Sequence, residues 1–199
     1  MQKWKIYSKT LFFIKFLISI NLLYGQVNLV PNPSFESYDT CPTRFGGINT
    51  GLDQICKATP WFQPYYPNTE WCGGSTDFFH TCAGSVPNNW NGYQLPRTGN
   101  GYAHAGIMVV NQNFGREYLE VGLVNPLMPN KKYCTFFYST LANSQTFVSC
   151  DCLSASFSKD TLKQYGSYDW INAPAHIISQ SIIMDTLNWS LIKGTYIAG

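Results

Sequence analysis

The sequence predicts an all-β domain: an antiparallel jelly-roll sandwich carrying a long, disulfide-stabilised loop region. Three observations lead there. Chain breakers are abundant, with 16 glycines and 11 prolines in 199 residues, too many for a helical domain. No window sustains the i, i+3, i+4, i+7 apolar pattern of an amphipathic helix, whereas several alternate with period two. The chain is 45% hydrophobic and 16% aromatic, enough to build the core of one sandwich-sized domain.

The elements follow in order. Residues 1–9 are basic and free of acids, and Leu11–Leu23 is apolar except for Lys15, Ser19 and Asn21. That is the build of a secretory signal peptide, with cleavage expected after Gly25. The domain then spans residues 26–199, and no later stretch approaches membrane-spanning length. Short strands are expected at Val27–Val30, Ser34–Tyr38, Tyr102–Val110, Arg116–Val124, Lys132–Leu141 and Cys152–Phe157. Leu187–Ala198 reads as one long strand or as two broken at Gly194. Seven or eight such strands separated by turns make a sandwich, and a jelly roll is its expected form. Asp39–Pro96 differs: it holds six of the prolines, four cysteines and three tryptophans. It is expected to be an ordered loop region over one side of the sandwich, the usual place for function on a rigid scaffold.

Charge and cysteine narrow the class. The formal charge is +2, but Lys3, Lys5, Lys9 and Lys15 all lie in the leader. The rest is slightly acidic, which argues against nucleic acid as a partner. All seven cysteines (Cys41, Cys56, Cys72, Cys82, Cys134, Cys150 and Cys152) follow the leader. In an exported chain disulfides are their default role, with the pairing open and an odd thiol left over. Cys150 and Cys152 have the wrong spacing for a thioredoxin-type redox pair.

Enzyme chemistry finds little support. There is no Gly-x-Ser-x-Gly, no Walker A and no dinucleotide fingerprint, and His80, His104 and His176 are scattered. Asp77 could be drawn with His80 as a pair, but Thr76 and Asp77 serve equally as a loop-holding turn. Arg116 and Glu117 read as strand-edge residues with exposed charges, and Tyr102 as a core tyrosine.

One ordered series of motifs runs through the chain. Asn28-Leu-Val-Pro-Asn-Pro-Ser-Phe-Glu36 is followed by Cys41-Pro42, Gly74-Ser-Thr-Asp-Phe-Phe79 with Cys82, and Val86-Pro-Asn-Asn89 with Gly92-Tyr-Gln94. Thr98-Gly-Asn-Gly-Tyr-Ala103, Gly106-Ile107, Arg116-Glu-Tyr-Leu119, Lys131-Lys-Tyr133, Trp189 and Gly194-Thr-Tyr-Ile-Ala198 complete it. The series resembles a family of exported domains of Bacteroidetes-type bacteria, often found ahead of OmpA-like or type IX sorting segments. Its opening is similar to that of jelly-roll carbohydrate-binding modules, galactose-binding-domain-like in fold. The resemblance implies a location in the cell envelope, on the outer surface or outside the cell. It also implies Glu36 as a ligand of a structural calcium ion, with a turn-capping role as the alternative. Members usually continue past the Gly-x-Tyr-x-Ala segment into a further strand, so a missing edge strand or downstream domain is expected beyond Gly199.

The leading expectation is a non-catalytic module that binds polysaccharide or cell-surface glycan. Sugars present C–H faces to aromatic rings and hydroxyls to amides and carboxylates. Asp39–Pro96 offers Trp61, Phe62, Tyr65, Tyr66, Trp71 and Trp90 among Gln63, Asn68, Asp77, Asn88, Asn89 and Gln94. Trp61 and Trp71 are the expected stacking platform, with Tyr65, Tyr66, Trp90, Asp77 and Asn89 around it. The competing role for each ring is packing the loop onto the sandwich. The alternative function is a structural or adhesin-like envelope module that binds a protein partner. A hydrolase would instead need paired carboxylates or a Ser/His pair.

Overall fold

A computed structural model describes residues 27–43, 54–66, 74–107, 116–144, 153–166 and 169–199. The leader, Trp71, Cys72, Cys150 and Cys152 lie outside these residues. The described chain is all-β apart from two single-turn 3-10 helices, Ile55–Lys57 and Thr81–Ala83. None of its helices is long and apolar enough to cross a membrane.

Strand β1, Asp77–His80, pairs antiparallel with β4, Gly101–His104, placing Asp77 opposite His104 and Phe79 opposite Tyr102. Between them, β2 (Asn88–Asn89) and β3 (Gly92–Tyr93) form a small antiparallel pair. The longest ladder joins β5, Lys132–Ser139, to β8, Ser190–Ile197, in unbroken register from Lys132 opposite Ile197 to Ser139 opposite Ser190. Inside that connection β6, Ser154–Ala155, pairs with β7, Ile177–Ile178.

Strand β1 lies where the sequence pointed to a loop region without strands. All four of its residues are buried, so Asp-Phe-Phe-His lacks the polar/apolar alternation that betrays a half-exposed strand. Its pleat sends neighbouring side chains to opposite sides. Phe78 joins Ile55 and Ala58 with Phe35, Trp61 and Ala103 packed on them. Phe79 joins Val86 and Tyr102, covered by Trp90 and Trp189. Each phenylalanine buried this way contributes about 2–3 kcal/mol.

The third core belongs to the C-terminal half. Ile177, Ile183 and Ile192 are buried beneath Phe137, Leu153, Ala155, Phe157 and Tyr196. The inner residues of β5 and β8 supply Phe137, Ile192 and Tyr196, while the other face of β5, which the sequence left open to burial, is mostly exposed. At Gly194 the strand continues without a break, because this residue makes room for Ile177: a Cβ would come within 3.0 Å of its Cδ1.

Two expected strands are replaced by other structure. Ser34–Tyr38 begins with a turn in which Asn32 and Phe35 both take positive φ, 43° and 60°. Val27–Val30 is irregular, its nearest partner being Val124, whose N–H donates to the Leu29 carbonyl. Arg116–Val124 is reduced to one antiparallel bridge between Glu120 and Phe62.

A disulfide joins Cys41 to Cys82 and closes a 41-residue separation. Cys56 is also disulfide-bonded. Among the described residues Cys134, exposed on β5, is a free thiol.

Candidate ligand-binding site

The opening motif builds a clamp. The Asn32 side-chain amide donates to the carbonyls of Ser37 (2.7 Å), Thr59 (2.9 Å) and Ala58 (3.3 Å), and its Oδ1 accepts from Ser37 N–H. Its backbone carbonyl accepts the Trp61 indole N–H at 2.8 Å. Phe35 lies against Trp61, with ring centroids 5.0 Å apart. Glu36 then grips the turn before β4, its Oε1 accepting from Asn100 N–H (2.7 Å) and Gly101 N–H (3.1 Å) and its Oε2 from Asn100 Nδ2 (3.1 Å). Gly99, at φ 66°, allows this approach, since a Cβ there would collide with the carboxylate. Burial raises the Glu36 pKa, but the Asn100 and Gly101 donors outweigh it and hold the group below its ordinary value.

These facts bear on two expectations. Trp61 is half-buried and hydrogen-bonded beneath the motif, so its ring serves the packing role weighed against a sugar platform. The oxygens of Glu36 are engaged by N–H donors, and no group of three metal-ligating side chains occurs among the described residues. Glu36 thus fills the turn-capping role that was the alternative to a calcium ligand.

A second cluster lies between β1 and β4. Asp77 faces His104, not His80, with Oδ2 3.5 Å from Nδ1. Glu117 joins them: its Oε2 accepts from Gly106 N–H at 2.6 Å, while its own N–H donates to the Gly106 carbonyl. Glu117 is only 9% exposed, which corrects its reading as a surface charge. Its partner in that reading, Arg116, stacks its guanidinium 4.1 Å over the Trp170 ring. Burial pushes the Asp77 carboxyl up, against the opposing effect of His104 and Trp90. Burial likewise raises Glu117, opposed by His104, Ser75 and Gly106 and reinforced by Asp77. Ser75 Oγ and Trp90 Nε1 are buried beside these acids without a well-formed hydrogen bond. His80 instead accepts from Cys82 N–H through Nδ1 and caps the following turn.

Trp90 packs on the second core and meets His104 edge-on at 5.3 Å. Asn89 is committed within its loop, donating to Ser85 O and to Tyr102 OH (2.6 Å) and accepting from Asn91 N–H. Burial pushes the Tyr102 phenol up to about 12, with Asn89 opposing.

The exposed rings gather elsewhere, around a buried amide pair. Gln63 Oε1 accepts from Ser75 N–H, Thr76 N–H and Thr76 Oγ1 at 2.7–2.9 Å. Its Nε2 donates to Gln164 Oε1 at 2.7 Å. Gln164, fully buried, donates onward to the carbonyls of Arg116 (2.6 Å) and Asp169 (2.9 Å). Main-chain bonds at 2.6–2.7 Å run from Tyr66 N–H to Gln164 O and from Gln164 N–H to Pro64 O, and Tyr65 bridges to Gln164 in parallel. This rigid spine carries Tyr66 and Tyr165, whose rings meet edge-on at 5.3 Å and 69°. Lys163 Nζ lies 4.7 Å over Tyr66. Tyr165 is 66% exposed and Trp170 60%. Tyr65 is half-buried.

Of the expected residues, then, the structure brings Tyr65 and Tyr66 to an aromatic surface and Asp77 and Trp90 to a buried acid–histidine cluster. Asn89 and Trp61 are engaged in holding the loops, and Trp71 lies outside the described residues. Sequence reasoning missed Tyr165, Trp170 and Lys163. They lie about a hundred residues from Tyr66 in sequence, and the side-chain and main-chain bonds between residues 63–66 and Gln164 make them neighbours. Comparison of the chain with protein-family models, with curated proteins and with solved structures returned no match.

Proposed function

We propose that this chain is an exported, non-catalytic carbohydrate-binding module, with Tyr66, Tyr165 and Trp170 as its contact rings. One observation carries this reading: three exposed aromatic side chains are fixed to a buried, fully hydrogen-bonded amide spine, beside the cationic donors Lys163 and Arg116. Large rings held on a rigid base lose little entropy on binding. The edge-on Tyr66–Tyr165 pair forms a corner instead of a flat platform. It suits a single sugar residue or a chain end, one ring taking the C–H face while the phenol of the other takes hydroxyls. Flat crystalline polysaccharide, which needs coplanar rings, is not its ligand. A jelly-roll sandwich, the envelope location and the family resemblance of the motif series belong to the same proposal.

Affinity electrophoresis against a panel of neutral polysaccharides tests it. Retardation by one polymer, lost in Tyr165→Ala and in Trp170→Ala with unchanged melting temperature, supports the corner. Retardation that survives both substitutions would remove it from these rings.

A second reading, a module that docks a protein, is favoured by a different observation. Ile178, Ile182, Met184 and Leu187 are all exposed within one ten-residue stretch, and exposed apolar side chains in number are a mark of protein contact. Loss of partner capture in Met184→Asp/Leu187→Asp would identify that surface as the functional one.

A further inference from the structure

The β5–β8 ladder has an outer face most of whose residues are exposed. Strand pleating puts Lys132, Cys134, Phe136 and Tyr138 of β5 on it, opposite Ile197, Thr195, Lys193 and Leu191 of β8. Phe136 and Ile197 are each 61% exposed, whereas the inner residues Phe137 and Ile192 belong to the third core. Neither strand contains an acidic residue. A third cation joins the two lysines: the Arg97 guanidinium stacks 3.5 Å over the Tyr138 ring. Its loop is fixed there by the Trp189 indole N–H, which donates to the Leu95 carbonyl at 2.9 Å. Among the described residues, Arg97, Lys132 and Lys193 form no ion pair.

We infer that this face is a docking surface for an extended acidic polysaccharide, one carrying a carboxylate on each sugar ring. Charge complementarity selects the occupant. Three cations without a neighbouring strand acid attract an anion, and they would repel a second copy of the same face. The exposed Phe136 ring matches the C–H face of a sugar, with Tyr138, edge-on to it at 6.3 Å, carrying the Arg97 plane. From Lys132 to Tyr138 the row is about 20 Å long at a strand rise of roughly 3.4 Å per residue, so several sugars of one chain can lie along it. Stacked on Tyr138, the Arg97 plane keeps its edge N–H groups free to take a carboxylate in bidentate fashion. The surface is separate from the tyrosine corner and stands whether or not that corner binds neutral sugar.

The test is affinity electrophoresis of the folded domain in gels containing polygalacturonate, beside gels containing neutral dextran and beside flotation with phosphatidylglycerol vesicles. Polygalacturonate should retard the domain, less so as salt rises. Arg97→Glu/Lys193→Glu should weaken the apparent affinity at least tenfold, and Phe136→Ala should weaken it severalfold; thermal melts of all variants confirm folding. Absence of retardation, or retardation untouched by the charge reversal, would overturn the assignment. So would vesicle binding in preference to polyuronate, which would make the face a lipid-contact surface.

Discussion

Replacing Gln164 by leucine tests the amide spine directly. Leucine is of similar size but offers nothing to Gln63 Nε2, Arg116 O or Asp169 O, which the Gln164 side chain meets at 2.6–2.9 Å. Gln63 Nε2 is fully buried and would keep the penalty of a lost buried hydrogen bond, roughly 2–3 kcal/mol. The two carbonyls are part-buried and can recover water, at about 0.5–1 kcal/mol each. The apolar side chain returns about 1 kcal/mol through burial. The net loss is therefore about 3 kcal/mol, read as a drop of roughly 1.5–2 M in the urea midpoint with the slope unchanged. The double variant Gln63→Leu/Gln164→Leu should lose at least 1 kcal/mol less than the two single losses added, because one bond is removed in both. A loss below 1 kcal/mol in Gln164→Leu, or strict additivity, would refute the claim that this spine holds the two chain segments together. Tyr66 and Tyr165 would then lack a fixed base.

Other outcomes follow from the same structure. The folded-state pKa values of Asp77 and Glu117 are raised, so their contribution is fully present below about pH 4, their unfolded range, and is lost as pH rises through the folded values. Glu117→Gln should therefore flatten the decline in stability from pH 4 towards neutrality, measured by urea melts across that range. The Glu36 pKa is lowered, so its contribution runs the other way and is lost as pH falls below about 4.5; Glu36→Gln should reduce sensitivity to acid in the same melts. Cys41→Ser/Cys82→Ser opens a 41-residue loop and should cost about 4 kcal/mol, measured in the absence of reductant. Cys134 should react with a maleimide in the native state, and mass spectrometry of the labelled peptide checks it.

The parts of this structure that were legible in the sequence are those governed by alternation. Ser190–Ile197 has one face towards water and reads as a strand; in Lys132–Ser139 both alternating sets are apolar, so the sequence suggests two covered faces where the structure leaves Phe136 exposed. Strand β1 hid itself by being buried on both sides. Asp77 stands out in the sequence, but its partner does not, because a cross-strand pairing with His104 leaves no local trace. Glu117 read as a surface charge since nothing in Arg-Glu-Tyr-Leu announces that its carboxylate holds Gly106. The aromatic richness of Asp39–Pro96 was visible, yet composition cannot separate Trp61, hydrogen-bonded under a turn, from Tyr66, which faces water. The motif from Asn28 to Glu36 stood out for a reason that its spelling conceals: Asn32 and Glu36 tie together segments more than twenty and sixty residues distant.

The β5–β8 ladder also sets an order of events. Its two strands are separated by the whole 140–189 stretch, and β8 is the later to leave the ribosome or a translocation channel. Until it arrives, Tyr133 and Phe137 have no strand beside them and Ile177 lacks the glycine against which it rests. The β1–β4 pair closes over a much shorter distance, although Trp189 must still arrive to cover its core. Pairing of this ladder is thus a late, non-local event, because β5 waits for a strand about fifty residues further on. During that wait the unpaired edge of β5 is the segment most exposed to wrong pairing, and the one a chaperone would have to cover.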